Sequence, residues 1–371
     1  MRFSITPDNF ERALRQVVAV APTRSTIPLY ENVLVEADGN GVRFSAADTG
    51  VAIRTPAPAQ VLDSGRIAVP ARKLLDIVRL LPAAMAEVKT VGETLHVRCG
   101  KAKLSLRGLR TEDDFIAIPA SALQGGWSIP VSQLNTMIAR VIFAASTEES
   151  RPILNGVLWE FSPGSMAMVA TDGHRLVRFQ APVEGGPDAN LQLIVSPKAL
   201  AQAQRLFDSS KDVTVTHTDN SVALRQGDLV LVGGLIEGPY PNYQMVIPRD
   251  NDKIAVLDNQ ALQAALRRVA VVASQQTHRV RFSFDVGALR LSVDTPDLGQ
   301  ANDELEIEYT GEPLEIAFNA SYLLEVLRSI PSERVRMSFK TSERASIIEP
   351  LADTSENAHK QFALLMPLRL M

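Results

Sequence analysis

The chain lacks most of the residues that announce secretion, metal binding or enzymatic chemistry. Among 371 residues it has one cysteine, Cys99, so no disulfide can form within it. That economy fits a reducing compartment and a cytoplasmic location. The opening residues, Met1 to Phe10, contain no apolar run of the kind that begins a signal peptide. The longest apolar stretches, such as Leu229 to Ile236, are too short to cross a bilayer. The histidines (His96, His174, His217, His278 and His359) are scattered and Cys99 has no thiol neighbour, so no metal-ligand spacing is present. A Walker-type phosphate loop and a Gly-x-Ser-x-Gly elbow are both missing. ATP hydrolysis is therefore not expected, and neither is a bound cofactor. A basic excess is missing too: the net charge is -4, which taken alone argues against a general nucleic-acid binder. Net charge does not say where the charges lie, and here their placement matters more.

Hydrophobic residues make up 46% of the sequence, enough to fill two or three domain cores rather than one. Internal repetition supports three. Helix-like segments with apolar residues at helical spacing begin at Phe10, Leu134 and Leu262, each behind a start signal: Thr6-Pro7-Asp8, Pro130-Val131-Ser132 and Asp258-Asn259. A second helix recurs from Ala71, Pro197 and Ala320, with Arg79, Arg205 and Arg328 at matching places. Between the helices lie short alternating runs broken by turn residues, in 32–48, 156–172 and 279–295, which predict antiparallel hairpins. Each repeat closes on a predicted strand and a proline: Phe115 to Pro119, Tyr243 to Pro248, Phe362 to Pro367. The expected class is α+β, three similar tandem domains at 1–124, 127–249 and 252–371, each with antiparallel strands and two helices.

The helices carry a charge bias. Opposite their apolar stripes stand Arg12, Arg15, Arg72, Lys73 and Arg79 in the first repeat, with Arg24 in the loop after the first helix. The second repeat has Arg140, Lys198 and Arg205, and the third has Arg267 or Arg268, and Arg328. Acids on these faces are fewer, chiefly Glu11, Asp76 and Glu325. Most acids fall in strands and loops, as in Thr111 to Asp114 and Asn302 to Glu306. One charged helix face is ordinarily just solvated. The same bias on six helices points instead to a basic face that attracts phosphates without reading sequence. No aromatic residues interleave with these cations, which favours duplex backbone over stacked single strands.

The second repeat contains Arg151-Pro-Ile-Leu-Asn-Gly-Val-Leu-Trp-Glu160 and Ala170-Thr-Asp-Gly-His-Arg-Leu176. The first contains Val69-Pro-Ala-Arg-Lys73, and the chain ends Leu365-Met-Pro-Leu-Arg-Leu370. Together these resemble the bacterial DNA polymerase III beta-subunit (sliding clamp) family along the whole chain. The resemblance implies a non-enzymatic ring of two chains joined head to tail, with helices lining a hole for duplex DNA and sheets forming a rim whose acidic character discourages DNA outside. It also implies a peptide pocket at the join of the second and third domains. Position by position, the pocket comprises Leu154, Thr171, Gly173, His174, Arg175, Leu176, Pro241, Val246, Asn319, Tyr322, Leu364, Met366, Pro367, Leu368 and Arg369. Replicative polymerase, clamp loader and repair proteins would dock short motifs there. Leu104 and Leu106 would meet Val271 and Val272 of the second chain, with Lys73 near Asp303 and Glu304. The chain departs from the family pattern at Met245, Glu343, Ala345 and Met371, which bears on peptide preference rather than on the pocket's existence, and Pro152-Ile153 stand where the family can carry aromatic residues, which argues against DNA stacking there.

Two other functions are set against this one. Asp172-Gly173-His174 could polarise Ser165 or Thr171 as a nucleophile. Asp172, however, aligns with Asp48 and Asp294 in repeats that lack the histidine, which marks it as a turn residue of the shared scaffold. A repeat protein that only binds proteins would share the fold and the pocket but would never encircle DNA.

Overall fold

The computed structural model describes residues 1–109, 118, 123–296, 298–351 and 360–370. It divides into two compact units: Met1–Asn135 with Val195–Ile236, and Thr136–Ile194 with Glu237–Met371. Six α-helices are formed among the described residues: α1 (Pro7–Val18), α2 (Ala71–Arg79), α3 (Val131–Val141), α4 (Pro197–Leu206), α5 (Asn259–Ala270) and α6 (Ala320–Ser329). Local chemistry explains their starts. Thr6, Ser196, Asp258 and Asn319 each accept a hydrogen bond from a first-turn amide, and Pro7 and Pro197 occupy first-turn positions where no amide hydrogen is needed.

In the first unit, an eight-stranded sheet runs in the order Trp127–Pro130, Asp212–His217, Ser221–Gln226, Leu229–Gly234, Val51–Ala57, Gly41–Asp48, Asn32–Asp38, Gly65–Pro70. A five-stranded sheet runs Ala59–Asp63, Arg2–Ile5, Ala86–Val91, Thr94–Cys99, Ala102–Arg107. Helix α1 lays Phe10, Leu14 and Val17 onto these strands. Phe10 is fully buried, with ring centroids 6.5 Å from Phe3 and 5.4 Å from Phe44.

The second unit has a nine-stranded sheet: Leu191–Val195, Val157–Ser162, Ser165–Thr171, Arg175–Pro182, Lys360–Leu365, Ser346–Pro350, Arg334–Phe339, Lys253–Asp258, Glu308–Thr310. Its four-stranded sheet runs Gly299–Glu306, Ala288–Thr295, Arg279–Asp285, Leu314–Asn319. Helices α5 and α6 pack together here, over Phe282, Phe318 and other buried rings.

The large sheets share one construction. A three-strand meander that follows α1 ends at Val51–Ala57 and pairs antiparallel with Leu229–Gly234, the end of the meander that follows α4. The meander after α3 likewise ends at Arg175–Pro182 and pairs with Lys360–Leu365, the end of the meander after α6. Two meanders remain. The one after α5 ends at Gly299–Glu306 and the one after α2 ends at Ala102–Arg107, and both of these strands are outermost in their sheets.

The hairpins in 32–48, 156–172 and 279–295 form as predicted, with Gly41, Gly164 and Gly287 at positive φ in their turns. Lys360–Leu365 forms the expected closing strand of the third repeat. Tyr243–Val246, expected as a strand, is a 3-10 turn in which the Tyr243 amide bonds Pro241 O and the Met245 amide bonds Asn242 O. The proline-flanked segment closes on itself instead of entering a ladder. The corresponding expectation at Phe115 to Pro119 lies outside the described residues, apart from Ile118. Because Phe10 fills the first unit's core between two other rings, Phe10→Ala is expected to destabilise that unit by roughly 3–5 kcal/mol. An earlier urea transition reads this, and an unshifted one would contradict the packing described.

Candidate functional site

Three groups of residues carry functional expectations: the pocket residues, the helix cations and the strand edges. All of the expected pocket residues belong to the second unit. The ladder between Arg175–Pro182 and Lys360–Leu365 sets Leu176 opposite Leu364, and both are buried. Beyond the ladder, the Met366 amide donates to His174 O and the Leu368 amide to Ala317 O, so the tail is stitched to the loop before Arg175 and to the strand Leu314–Asn319. Asn319 caps α6 through its side-chain oxygen and thereby places Tyr322 on the helix's first turn. The His174 ring stacks on Tyr322 at 6.3 Å. Thr171 Oγ1 donates to Arg175 O and accepts from the Gly173 amide, which shapes the loop. Gly173 has φ +90°, and a Cβ there would stand 2.8 Å from an Arg151 guanidinium nitrogen. Leu154 and Pro367 are half-buried, while Pro241, Val246, Met366 and Arg369 are exposed.

Arg175 is the hub of this region and is 7% exposed. Its Nε donates to Asp172 Oδ2 at 3.1 Å, one terminal nitrogen pairs with Glu325, and the other donates to Phe143 O at 2.7 Å. Its guanidinium also lies 4.3 Å from the Tyr322 ring centroid. A buried guanidinium needs most of its donors met, and these partners supply that. The residues sequence reasoning missed here are Phe143 and Glu325. Glu325 carried a signal, since it stands three places after Tyr322 and shares its helical face. Asp172 spends one oxygen on the His174 and Arg175 amides and the other on the Arg175 side chain. It therefore closes a turn and neutralises an arginine, and no hydrogen bond to the His174 ring is formed among the described residues.

The cations of the helices and of the loop after α1 divide into free and engaged groups. Arg24, Arg72, Lys73, Arg205 and Arg328 are exposed and form no ion pair among the described residues. Arg15 and Arg79 share Glu11 at 2.6 and 3.4 Å, Arg12 bonds Asn9, and Lys198 pairs with Asp48. Two expectations need correction. Arg140 is half-buried and donates to Ser329 O, which also accepts from Gln361, so it acts as an internal strut rather than a free cation of a basic face; burial lowers its pKa. Arg268 turns to the sheet and pairs with Asp303 at 2.7 Å, whose carboxyl this hydrogen bond holds below the usual carboxylate range. Arg268 stays exposed in this pair; its neighbour Arg267 is also exposed, bonds Gln263 and forms no ion pair among the described residues.

The outermost strands carry opposite charges. Ala102–Arg107 half-buries Leu104 and Leu106 and exposes Lys103 and Arg107. Gly299–Glu306 half-buries Ala301, Asp303 and Leu305 and exposes Glu304 and Glu306. Val271, at the end of α5, is 80% exposed, and Val272 is half-buried. Asp303 and Glu304, expected near Lys73, are held within the chain by Arg268 and Arg290. The solvent side of the five-stranded sheet is not acidic. It sets Arg2 opposite Lys89 and Arg98 opposite Lys103, with the acids Asp63 opposite Arg2 and Glu87 opposite Arg98.

Removing the Arg175 hub strands two carboxylates and a carbonyl. Arg175→Ala is therefore expected to cost roughly 3 kcal/mol of stability in urea unfolding, whereas His174→Ala on the exposed loop should cost under about 0.5 kcal/mol. Equal small effects would contradict the hub.

Comparison with known proteins places this geometry. Models of the DNA polymerase III beta subunit's N-terminal, central and C-terminal domains match residues 1–119, 128–242 and 244–367. The beta sliding clamps of Caulobacter vibrioides and Pseudomonas aeruginosa are 33% and 30% identical to the chain, with all of both chains covered in each comparison. The crystal structure of the P. aeruginosa DNA polymerase III subunit beta superposes over the full length of both chains with a TM-score of 0.92 at 30% identity. The DNA polymerase sliding clamp of Bacillus subtilis does so with a TM-score of 0.94 at 25% identity. With three tandem domain matches and full-length relatives, this chain belongs to the bacterial DNA polymerase III beta-subunit, or beta sliding clamp, family.

Proposed function

We propose that the protein is a processivity clamp for the replicative DNA polymerase, in which two copies close head to tail into a ring around duplex DNA. The observation that carries this reading is the pair of unused strand edges. Twice within the chain, a meander following the first helix of a repeat joins a meander following the second helix of the next. The strands Gly299–Glu306 and Ala102–Arg107 are the ends of the two meanders left over, and they belong to the same two classes. Joining them between two chains repeats the junction a third time. It covers hydrogen-bonding edges that would otherwise invite aggregation, brings Leu104 and Leu106 to Val271 and Val272, and sets Lys103 and Arg107 against Glu304 and Glu306. The domains behind these junctions are taken as 1–124, 127–249 and 252–371.

Free cations on the helices and on the loop after α1 support the DNA-facing surface: Arg24, Arg72, Lys73, Arg205 and Arg328, together with Arg12, which keeps its charge while bonding Asn9, and with Arg15, Arg79 and Lys198 partly neutralised by neighbouring carboxylates. Phosphate contacts of this kind hold any duplex and permit sliding, because none of them reads a base. The His174, Arg175, Leu176, Tyr322, Leu364 to Arg369 cluster, with Pro241 and Val246, supplies a peptide site for polymerase, loader and repair proteins. Its apolar walls suit a partner's Leu or Phe, and exposed Met366 suits several ligands. The ring holds DNA by topology, so the chain needs no catalytic group of its own.

The test is retention on DNA after loading by the matching clamp loader. The protein should stay on circular duplex and run off once the circle is cut. Arg24→Ala combined with Arg205→Ala should lower retention at raised salt by about an order of magnitude. Equal retention on circular and linear DNA would make this a protein-only scaffold.

A further inference from the structure

Tyr243 is the one buried side chain of the 3-10 turn Tyr243–Val246, and the residues after it are held out in solvent: Met245 is 82% exposed and Val246 60%. The turn's own backbone bonds are local, so they shape it without placing it. Its placement comes from the Tyr243 hydroxyl, which donates to Glu160 Oε2 at 2.6 Å and accepts from Arg178 Nε at 3.1 Å. Glu160 and Arg178 stand on strands Val157–Ser162 and Arg175–Pro182, either side of Ser165–Thr171. Their ladder partners are Ala167 and Val169, two places apart on one strand, so both side chains rise from the same face and meet at the hydroxyl across the middle strand. Glu160 is steadied in turn by Gln192. Burial, with Glu160 beside it, pushes the Tyr243 hydroxyl's pKa up, so it remains a donor at any ordinary pH.

Arg178 lies three residues along the strand from Arg175, whose neighbour Leu176 pairs with Leu364. One phenolic oxygen therefore connects the Met245–Val246 shelf to the strand that carries the other wall of the peptide site. We infer that Tyr243, clamped between Glu160 and Arg178, is a positioning residue of the peptide site: it sets the height of the exposed Met245–Val246 shelf against Leu176. This inference rests on the peptide-site reading given above. Val246 is the wall residue and Tyr243 acts through it. Met245 extends the same apolar shelf, which suits an apolar rather than an acidic residue on the incoming peptide.

The experiment is a double-mutant cycle on the full-length chain, read by fluorescence anisotropy with a labelled pentapeptide ending in Leu-Phe. Tyr243→Phe removes only the hydroxyl and should weaken binding about tenfold, the scale of a lost charge-assisted pair. Val246→Ala should weaken binding by itself, and adding Tyr243→Phe to it should then cost little more, because the shelf being positioned has lost its contact. A general loosening of the fold would instead multiply the two losses. Glu160→Ala, which leaves the ring in place, should match Tyr243→Phe and serves if that variant fails to fold. Unaltered binding by Tyr243→Phe while Val246→Ala weakens it would overturn this inference alone. No binding by the unaltered chain would overturn the peptide-site reading and this inference with it.

Discussion

A β-strand at the rim of a sheet leaves a row of backbone N–H and C=O groups without partners, and a soluble protein must cover, charge or pair that row. In this chain two such rows are covered by its own later strands: Val51–Ala57 by Leu229–Gly234, and Arg175–Pro182 by Lys360–Leu365. The same solution is still open at Ala102–Arg107 and Gly299–Glu306. Ring closure, in the proposed function, needs no separate device, since it repeats between chains a junction already made twice within one. The charges agree with this, because cations flank one open edge and acids the other.

The second of these junctions also builds the candidate peptide site. The ladder brings the loop at 171–175 to the tail at 364–369, and Arg175 then fastens that loop to α6 through Glu325 and Tyr322. Rigid elements therefore hold the buried floor, while Met245, Val246 and Met366 remain exposed above it. A surface of this kind offers shape and apolar contact with few fixed polar demands, as expected where several partners must exchange. Its buried guanidinium is held by several partners, which favours a stable frame over a mobile one.

Much of the fold was legible in the sequence, because it is written in short periods. The apolar spacing of Phe10, Leu14 and Val17, and the caps at Thr6 and Asp258, are local signals, and the hairpins follow from alternation and turn glycines. The repeat made three tandem domains readable before any sheet was seen. Tyr243–Val246 matches the closing segments of the other repeats in sequence position, but it lies between Pro241 and Pro248 and forms a self-closing turn. The pocket positions came from family resemblance, while the groups that hold them in place, Glu325 apart, have no local signature. Glu160, Arg178 and Tyr243 are far apart in the chain and meet only after two ladders have formed. Arg140 and Arg268 show the same limit for charge. Their helical faces are basic in sequence, but Ser329 O and Asp303 claim them once neighbouring elements pack.

In the proposed ring, the strand edges at 102–107 and 299–306 join two copies of this chain. Light scattering on the purified protein over a dilution series tests it most directly. A solution mass of twice the 40.4 kDa chain is expected, maintained on dilution until the dimer dissociates. A monomer that persists at high concentration would contradict ring closure and leave the two edges without the partner proposed for them.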